Sequence, residues 1–162
     1  MERHRRGFNG FTIVEMLVVM AVLAVLAAIV VNFTRPAAEM RAAGSLKSLL
    51  LFARATALWT GTAVAITELP LGSGFVVTRG PFDESGTCLG GEASNRLLLA
   101  EYPGVRVASG FASDGMLWLP SGSGRTCAGS GVISATLTLR GFSGAADVVI
   151  SSLGRVRVER QP

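Results

Sequence analysis

The feature that most constrains this chain is an apolar run near its N-terminus. Residues 11–31 are apolar except for Thr12 and Glu15. As an α-helix, a run of this length rises roughly 30 Å, about the thickness of the hydrocarbon core of a bilayer. Arg3, Arg5 and Arg6 precede it, and such basic flanks favour the cytoplasmic side. The run therefore predicts a single-pass membrane protein whose C-terminal bulk is exported.

The junction Gly10-Phe11 lies ahead of the apolar run. A secretory signal places its small-residue cleavage site after its apolar core, so the order here is reversed. Cleavage at this junction would remove the basic leader and leave the apolar helix on the mature protein.

The string GFTIVE at residues 10–15 resembles the class III signal of type IV pilins and type II secretion pseudopilins. This resemblance covers the leader and the first helix. It implies that a prepilin peptidase cleaves after Gly10 and that the new N-terminal Phe11 is N-methylated. It also implies that the chain is held in the bacterial inner membrane with its head in the periplasm. Assembly with other pilin or pseudopilin subunits would then place it in a filament at the cell surface.

Glu15 is a carboxylate inside the apolar run. Such a group costs a few kcal/mol in a membrane and needs a partner. The nearest candidate is the amine created at Phe11 by cleavage, and the pilin resemblance implies that Glu15 neutralises this amine on a neighbouring subunit during assembly. The alternative is a carboxylate near the membrane edge that extends to the lipid headgroups.

Composition argues against catalysis. The single histidine, His4, lies in the leader, so the mature chain would have no histidine base and no histidine metal ligand. The Gly-Ser-Gly strings at 72–74 and 122–124 lack the lysine of a phosphate-binding loop, which indicates turns. We therefore expect no enzyme activity, no cofactor and no metal. The formal net charge of +4 includes three leader arginines and indicates little about partners.

The pattern of the chain predicts four segments. They are a leader at 1–10, a transmembrane and assembly helix at 11–34, an amphipathic continuation at 35–60, and a β-rich head at 61–162. Pro36 predicts a kink or loosened turn. Apolar residues recur at helical spacing on the face that should pack on the head, at Ala42, Leu46, Leu49, Leu50, Ala53 and Ala57.

Beyond Gly61, short β-rich runs separated by Gly, Pro and Ser predict an all-β head. The predicted strands are 63–69, 74–79, 96–102, 105–108, 116–119, 132–140, 147–151 and 155–159. The fold class is thus α+β, with a long N-terminal helix packed on an antiparallel head. This organisation resembles minor pseudopilins and minor pilins of the GspH/FimT family, whose heads contain two antiparallel sheets. Cys88 and Cys127 lie in loop-like tracts of the exported head, and two such cysteines predict a disulfide.

The C-terminal string GRVR, residues 154–157, suggests a nucleic-acid site. On a strand, Arg155 and Arg157 would share one face about 6.6 Å apart and could each hold a phosphate. GRVR resembles the GRxR motif of FimT-like minor pilins that bind double-stranded DNA during natural transformation, and Arg140 is a candidate auxiliary residue. The alternatives are arginines that protect an exposed strand edge, or a glycine set by turn geometry. Two functions therefore remain: a DNA-binding minor pilin, or a purely structural minor pseudopilin of a type II secretion system.

Overall fold

The computed structural model describes residues 12–34, 37–80, 82, 88, 91–111, 115–127 and 133–161, with side chains in the first range described for residues 12–27. The chain divides into two compact units, Met1–Arg35 and Pro36–Pro162. Gly10, Phe11 and the predicted kink at Pro36 lie outside the described residues. Among the helices of the described residues, none combines the length and the apolar composition that a membrane span requires.

The first unit contains helix α1, Ile13–Thr34. Thr12 precedes the helix, and its Oγ1 accepts a hydrogen bond of 3.2 Å from the backbone N–H of Glu15. This bond satisfies one of the amides that a helix N-terminus leaves unpaired. The side chains of residues 12–27 are exposed along this helix, Ile13, Leu17 and Met20 among them.

The second unit begins with helix α2, Ala38–Thr60. The helix ends at Gly61, whose φ of 64° is left-handed and whose N–H bonds the Ala57 carbonyl, because glycine adopts this conformation without a Cβ clash. One face of α2 is buried against the head, and it comprises Ala42, Ala43, Leu46, Leu49, Leu50, Ala53 and Ala57.

The head consists of two antiparallel sheets. The first sheet contains β1 (Val64–Glu68), β2 (Gly74–Arg79), β3 (Glu92–Leu98), β5 (Gly115–Trp118) and β6 (Gly124–Thr126), in the order β3-β2-β1-β5-β6. The second contains β4 (Arg106–Ser109), β7 (Ala135–Arg140), β8 (Ala145–Ile150) and β9 (Val156–Arg160), in the order β4-β7-β8-β9.

Alternation along the strands creates one core between α2 and the sheets. Leu137 and Leu139 of β7 are buried while Thr136 and Arg140 face outwards, as one-sided burial of an antiparallel sheet requires. The strands β1 and β8 both contact α2, and one continuous cluster of buried residues joins the helix to both sheets. The predicted fold class, a helix packed on a two-sheet antiparallel head, is confirmed.

Two predictions differ most from the structure; the bounds of the other predicted strands except 74–79 are off by one to three residues, and Arg155 precedes β9. The strand predicted at 96–102 begins earlier, at Glu92, and ends at Leu98 because Leu99–Glu101 form a 3-10 turn. The tract predicted as a loop around Cys127 contains β6. Both β3 and β6 are end strands of the first sheet, where polar and glycine residues are tolerated because one edge faces solvent.

Candidate functional site

Glu15 lies in the first turn of α1, where Thr12 and Glu15 have the spacing of a helix capping box. The Glu15 side chain is exposed. A carboxylate at this end of a helix also interacts favourably with the helix dipole. The local structure therefore gives Thr12 a role in starting the helix that the sequence analysis did not assign.

The outward face of α2 is apolar. Leu51 and Phe52 are 42% and 44% exposed, Leu58 is 51% exposed and Trp59 is 91% exposed. With Ala55, these residues follow the i, i+3, i+4 spacing of one helical stripe, opposite the face that packs on the head. Helix α2 is therefore apolar on both faces over its C-terminal half.

The turn that precedes β9 is fixed by α2. Ser151 N–H bonds the Arg155 carbonyl over 2.9 Å, and Gly154 has a left-handed φ of 74°. Arg54 of α2 donates from Nη1 to the Gly154 carbonyl over 3.0 Å, and its guanidinium lies 5.4 Å from the ring centre of Trp118. The left-handed φ of this turn therefore gives a structural reason for the glycine of the GRVR string.

Arg155, which directly precedes β9, and Arg157 of β9 are both exposed, while Val156 and Val158 pack against the core. The Arg157 Nε bonds Glu159 Oε1 over 2.9 Å, and these two side chains are 70% and 50% exposed. An exposed pair of this kind contributes little to stability. It does, however, place a carboxylate on one of the two candidate phosphate contacts.

Arg140 lies away from the other two arginines. Arg140 of β7 pairs with Ala145 of β8, and Arg157 of β9 pairs with Val149, four residues further along β8. Arg140 and Arg157 are therefore separated by two strand spacings across the sheet and by four residues along it. Standard strand geometry puts the two backbones roughly 16 Å apart. Between the two ends lies Asp147, which accepts hydrogen bonds from Thr138 and Gln161.

Arg106 is a further candidate that the sequence analysis missed. It lies directly opposite Arg140 in the β4–β7 pair, and both side chains are exposed. The outer face of the second sheet thus has an arginine pair near each end and carboxylates between them, so it is not a continuous basic surface.

Cys88 and Cys127 form a disulfide with a Cα–Cα distance of 5.3 Å. Both cysteines are buried with Ala65, and Phe82 and Leu117 pack against them. Ala65 and Leu117 are register partners on the side of the first sheet opposite Ile66, which faces the core. The bridge therefore covers the outer face of this sheet.

Glu39 is the one acidic side chain buried among the described residues, at 1% exposure in the first turn of α2. Neither carboxylate oxygen has a hydrogen-bond partner in the part of the chain that the structure describes. The turn that joins β7 to β8 closes around it, and a Cβ built on Gly141 would overlap its carboxylate. No sequence signal distinguished this glutamate from an ordinary acidic residue of a helix N-terminus.

Within the described residues, no group of three or more His, Cys, Asp or Glu side chains is placed to hold a metal ion. The candidate features of the described residues are therefore two surfaces: the outward apolar face of α2 and the arginine pairs of the second sheet.

Comparison with known proteins identifies the N-terminus and the fold. Residues 5–31 match the prokaryotic N-terminal methylation motif. A search of curated proteins finds no match in sequence. Among solved structures, the fold is similar to the type IV minor pilin FimU of Pseudomonas aeruginosa, with a TM-score of 0.58 and 18% identity over 75% of this chain and 87% of that one.

A second crystal form of FimU gives a TM-score of 0.54 at 18% identity, covering 74% of this chain and 90% of the other. The minor pseudopilin EpsH of the Vibrio cholerae type 2 secretion system gives 0.55 at 15% identity, covering 75% of this chain and 96% of the other.

The prokaryotic N-terminal methylation motif, together with a fold shared with a minor pilin and a minor pseudopilin, makes this chain type IV pilin-like. Within that class, the helix and two-sheet head have the fold of the minor pilin FimU and the minor pseudopilin EpsH.

Proposed function

We propose that this chain is a structural subunit of a type IV pilus or type II secretion filament. A prepilin peptidase cleaves it between Gly10 and Phe11, and before assembly its apolar helix holds it in the inner membrane as a single span, with the head in the periplasm. Glu15 then pairs with the Phe11 amine of a neighbouring subunit.

The observation that carries the assembly proposal is the outward apolar face of α2. The C-terminal half of α2 is apolar on its outer as well as its inner face, and exposed apolar patches mark contacts with other molecules. Full burial of a Leu or Phe side chain stabilises by about 1.5–3 kcal/mol, so covering this stripe favours association strongly. Packing against neighbouring subunits in a filament would bury it.

The assembly proposal is tested by the double variant Leu51→Gln with Trp59→Gln. Both side chains are exposed, so the fold should be retained while the apolar stripe is interrupted. We expect normal insertion into membranes and at least a roughly tenfold drop of the chain in sheared filaments, a loss of about 1.4 kcal/mol of association free energy. Arg41→Gln, an exposed change on another part of α2, is the matched control. If the double variant enters filaments as well as the wild-type chain does, the outward face of α2 has no role in assembly.

DNA binding through Arg155 and Arg157, in the service of natural transformation, is a second candidate function. The fixed turn at Gly154 supports it, because Arg155 directly follows this glycine, Arg157 lies on the strand that begins next, and both side chains are exposed. Two phosphate contacts predict weak binding of duplex DNA without strong sequence preference. The Glu159 carboxylate on Arg157 and the distance to Arg140 both reduce the strength of this interface.

The DNA candidate is tested with the full chain in detergent and duplex DNA at several salt concentrations. Replacing Arg155 and Arg157 together by Gln should make the log–log salt slope shallower by between about 0.9 and 1.8, at about 0.9 per phosphate contact, because the Glu159 ion pair keeps Arg157 from a phosphate in part of the molecules. The matched control replaces Arg106 and Arg140 by Gln, which removes the same charge at the other end of the sheet and should change the slope less. If the wild-type chain does not bind DNA at low salt, the chain is a purely structural subunit.

A further inference from the structure

A groove lies between α2 and the end strand β3, away from the arginines of the second sheet. Its volume is about 370 Å³. Helix α2 contributes Ser45, Ser48, Leu49 and Phe52 to its lining, and the strand side contributes Asn95, Arg96, Leu97 and Tyr102. The groove thus has an apolar floor, several hydroxyl and amide groups, and one charged side chain.

Among the strands of the described residues, none pairs with the outer edge of β3, the strand beside the groove. β3 pairs with β2 on one side and is the last strand of its sheet on the other. The backbone N–H of Arg96 donates to the Asn95 side-chain Oδ1 over 2.8 Å, so it takes no part in the ladder with β2. A local side-chain bond of this kind covers a free donor and is replaced when another strand offers a carbonyl.

Charge indicates what an added strand would carry. Arg96 is exposed, and among the described residues no carboxylate forms an ion pair with it. Arginine binds carboxylates strongly because it can donate two parallel hydrogen bonds. Leu97, the next residue, points towards the core side with Phe52 nearby in the groove lining.

We infer that this groove binds an extended segment of another protein chain in which acidic and apolar residues alternate. The segment adds to the outer edge of β3, its carboxylates meet Arg96, and its apolar side chains lie on Leu97 and Phe52. Side chains of a strand point alternately to opposite faces, so an acidic residue on the Arg96 side places its immediate neighbours on the apolar side. This site shares Phe52 with the outward stripe of α2, does not include Leu58 or Trp59, and is separate from the DNA candidate.

The test selects ligands from a library of randomised ten-residue peptides displayed on phage, using the full chain in detergent. We expect selected peptides to contain acidic residues directly beside aliphatic or aromatic ones, without proline between them. Synthetic peptides of the selected sequences should bind about tenfold more weakly to Arg96→Gln, the loss of one charge-assisted contact. Arg125→Gln, an exposed arginine on the opposite end strand β6, should leave their affinity within about twofold.

Hydrogen exchange of the Arg96 amide distinguishes strand addition from other kinds of binding. Peptide binding should slow this exchange, because a peptide carbonyl replaces the Asn95 side chain. Selected peptides that lack acidic residues, or that bind wild type and Arg96→Gln equally, would overturn the inference. Arg96 protection that rises with protein concentration alone would also overturn it, since the occupant would then be a second copy of this chain.

Discussion

Arg54 of α2 donates from Nη1 to the carbonyl of Gly154 over 3.0 Å, one hundred residues along the chain. The same guanidinium stacks on Trp118, so helix, first sheet and the turn before β9 meet at one side chain. A Cβ on Gly154 would lie 3.1 Å from a Trp118 ring carbon and 3.3 Å from the Arg54 Cζ. The glycine of GRVR therefore has two structural requirements, a left-handed φ and close packing.

Gly154→Ala should destabilise the protein. The left-handed backbone and the tight contacts with Trp118 and Arg54 each penalise a Cβ, for a combined loss of about 1–3 kcal/mol in the free energy of unfolding. Urea unfolding of the full chain in detergent measures it. Ser152→Ala, an exposed change in the same turn, is the control. Equal stability of both variants would show that the turn tolerates a side chain.

Much of the fold follows from local patterns. The alternation in β7 and β8 and the apolar periodicity of α2 have physical periods that sequence reasoning can detect. Strand β2 was predicted with its observed bounds, Gly74–Arg79. The early part of β3 was missed because Glu92, Ser94 and Asn95 are poor strand formers, tolerated there by the free edge of the sheet.

The candidate sites were less predictable because they depend on tertiary contacts. Nothing in the local sequence connects Arg54 with Gly154 or places the Gly141 turn around Glu39. The apolar residues Leu51, Phe52, Leu58 and Trp59 are visible in the sequence. Only the packing of α2 shows that they lie outside the core.

Loss of the disulfide should lower stability substantially. Cys88 and Cys127 are 39 residues apart, and closing a loop of that length stabilises by roughly 3–4 kcal/mol in the chain-entropy model. The double replacement Cys88→Ser with Cys127→Ser should lower the free energy of unfolding by about this amount. Chemical reduction of the wild-type disulfide should lower it by the same amount. A loss below about 1 kcal/mol would mean that the bridge constrains the unfolded chain little.

Replacement of Glu39 should stabilise the head. Its buried carboxylate has no hydrogen-bond partner among the described residues, and the dipole of the first turn of α2 contributes only about 0.3–2 kcal/mol. Glu39→Met has a similar volume without the charge and should raise the unfolding free energy by about 1–2 kcal/mol, since replacing buried ionic groups by apolar ones is often stabilising. Glu39→Gln, which keeps the polar atoms, should gain less. Destabilisation by both changes would show that the carboxylate has a partner in solution.

Removal of Glu159 should strengthen DNA binding if Arg157 holds a phosphate. Glu159→Gln frees the Arg157 guanidinium from its 2.9 Å ion pair and deletes a negative charge from the same face. Affinity at low salt should rise, and the log–log salt slope should steepen by up to about 0.9, the value of one phosphate contact. Fluorescence anisotropy with a labelled duplex gives both quantities. A slope identical to that of wild type would indicate that Arg157 serves only to protect the edge of β9.

The most direct test of the assembly account is the mass of the N-terminal peptide of this chain recovered from sheared, purified filaments of cells that contain a prepilin peptidase. The account predicts that the chain is present in the filaments and that its first residue is Phe11, carrying one methyl group on its amine. Residues 5–31 match the methylation motif that this chemistry requires. A chain that is absent from filaments, or that begins at Met1 or beyond the apolar run, would contradict it.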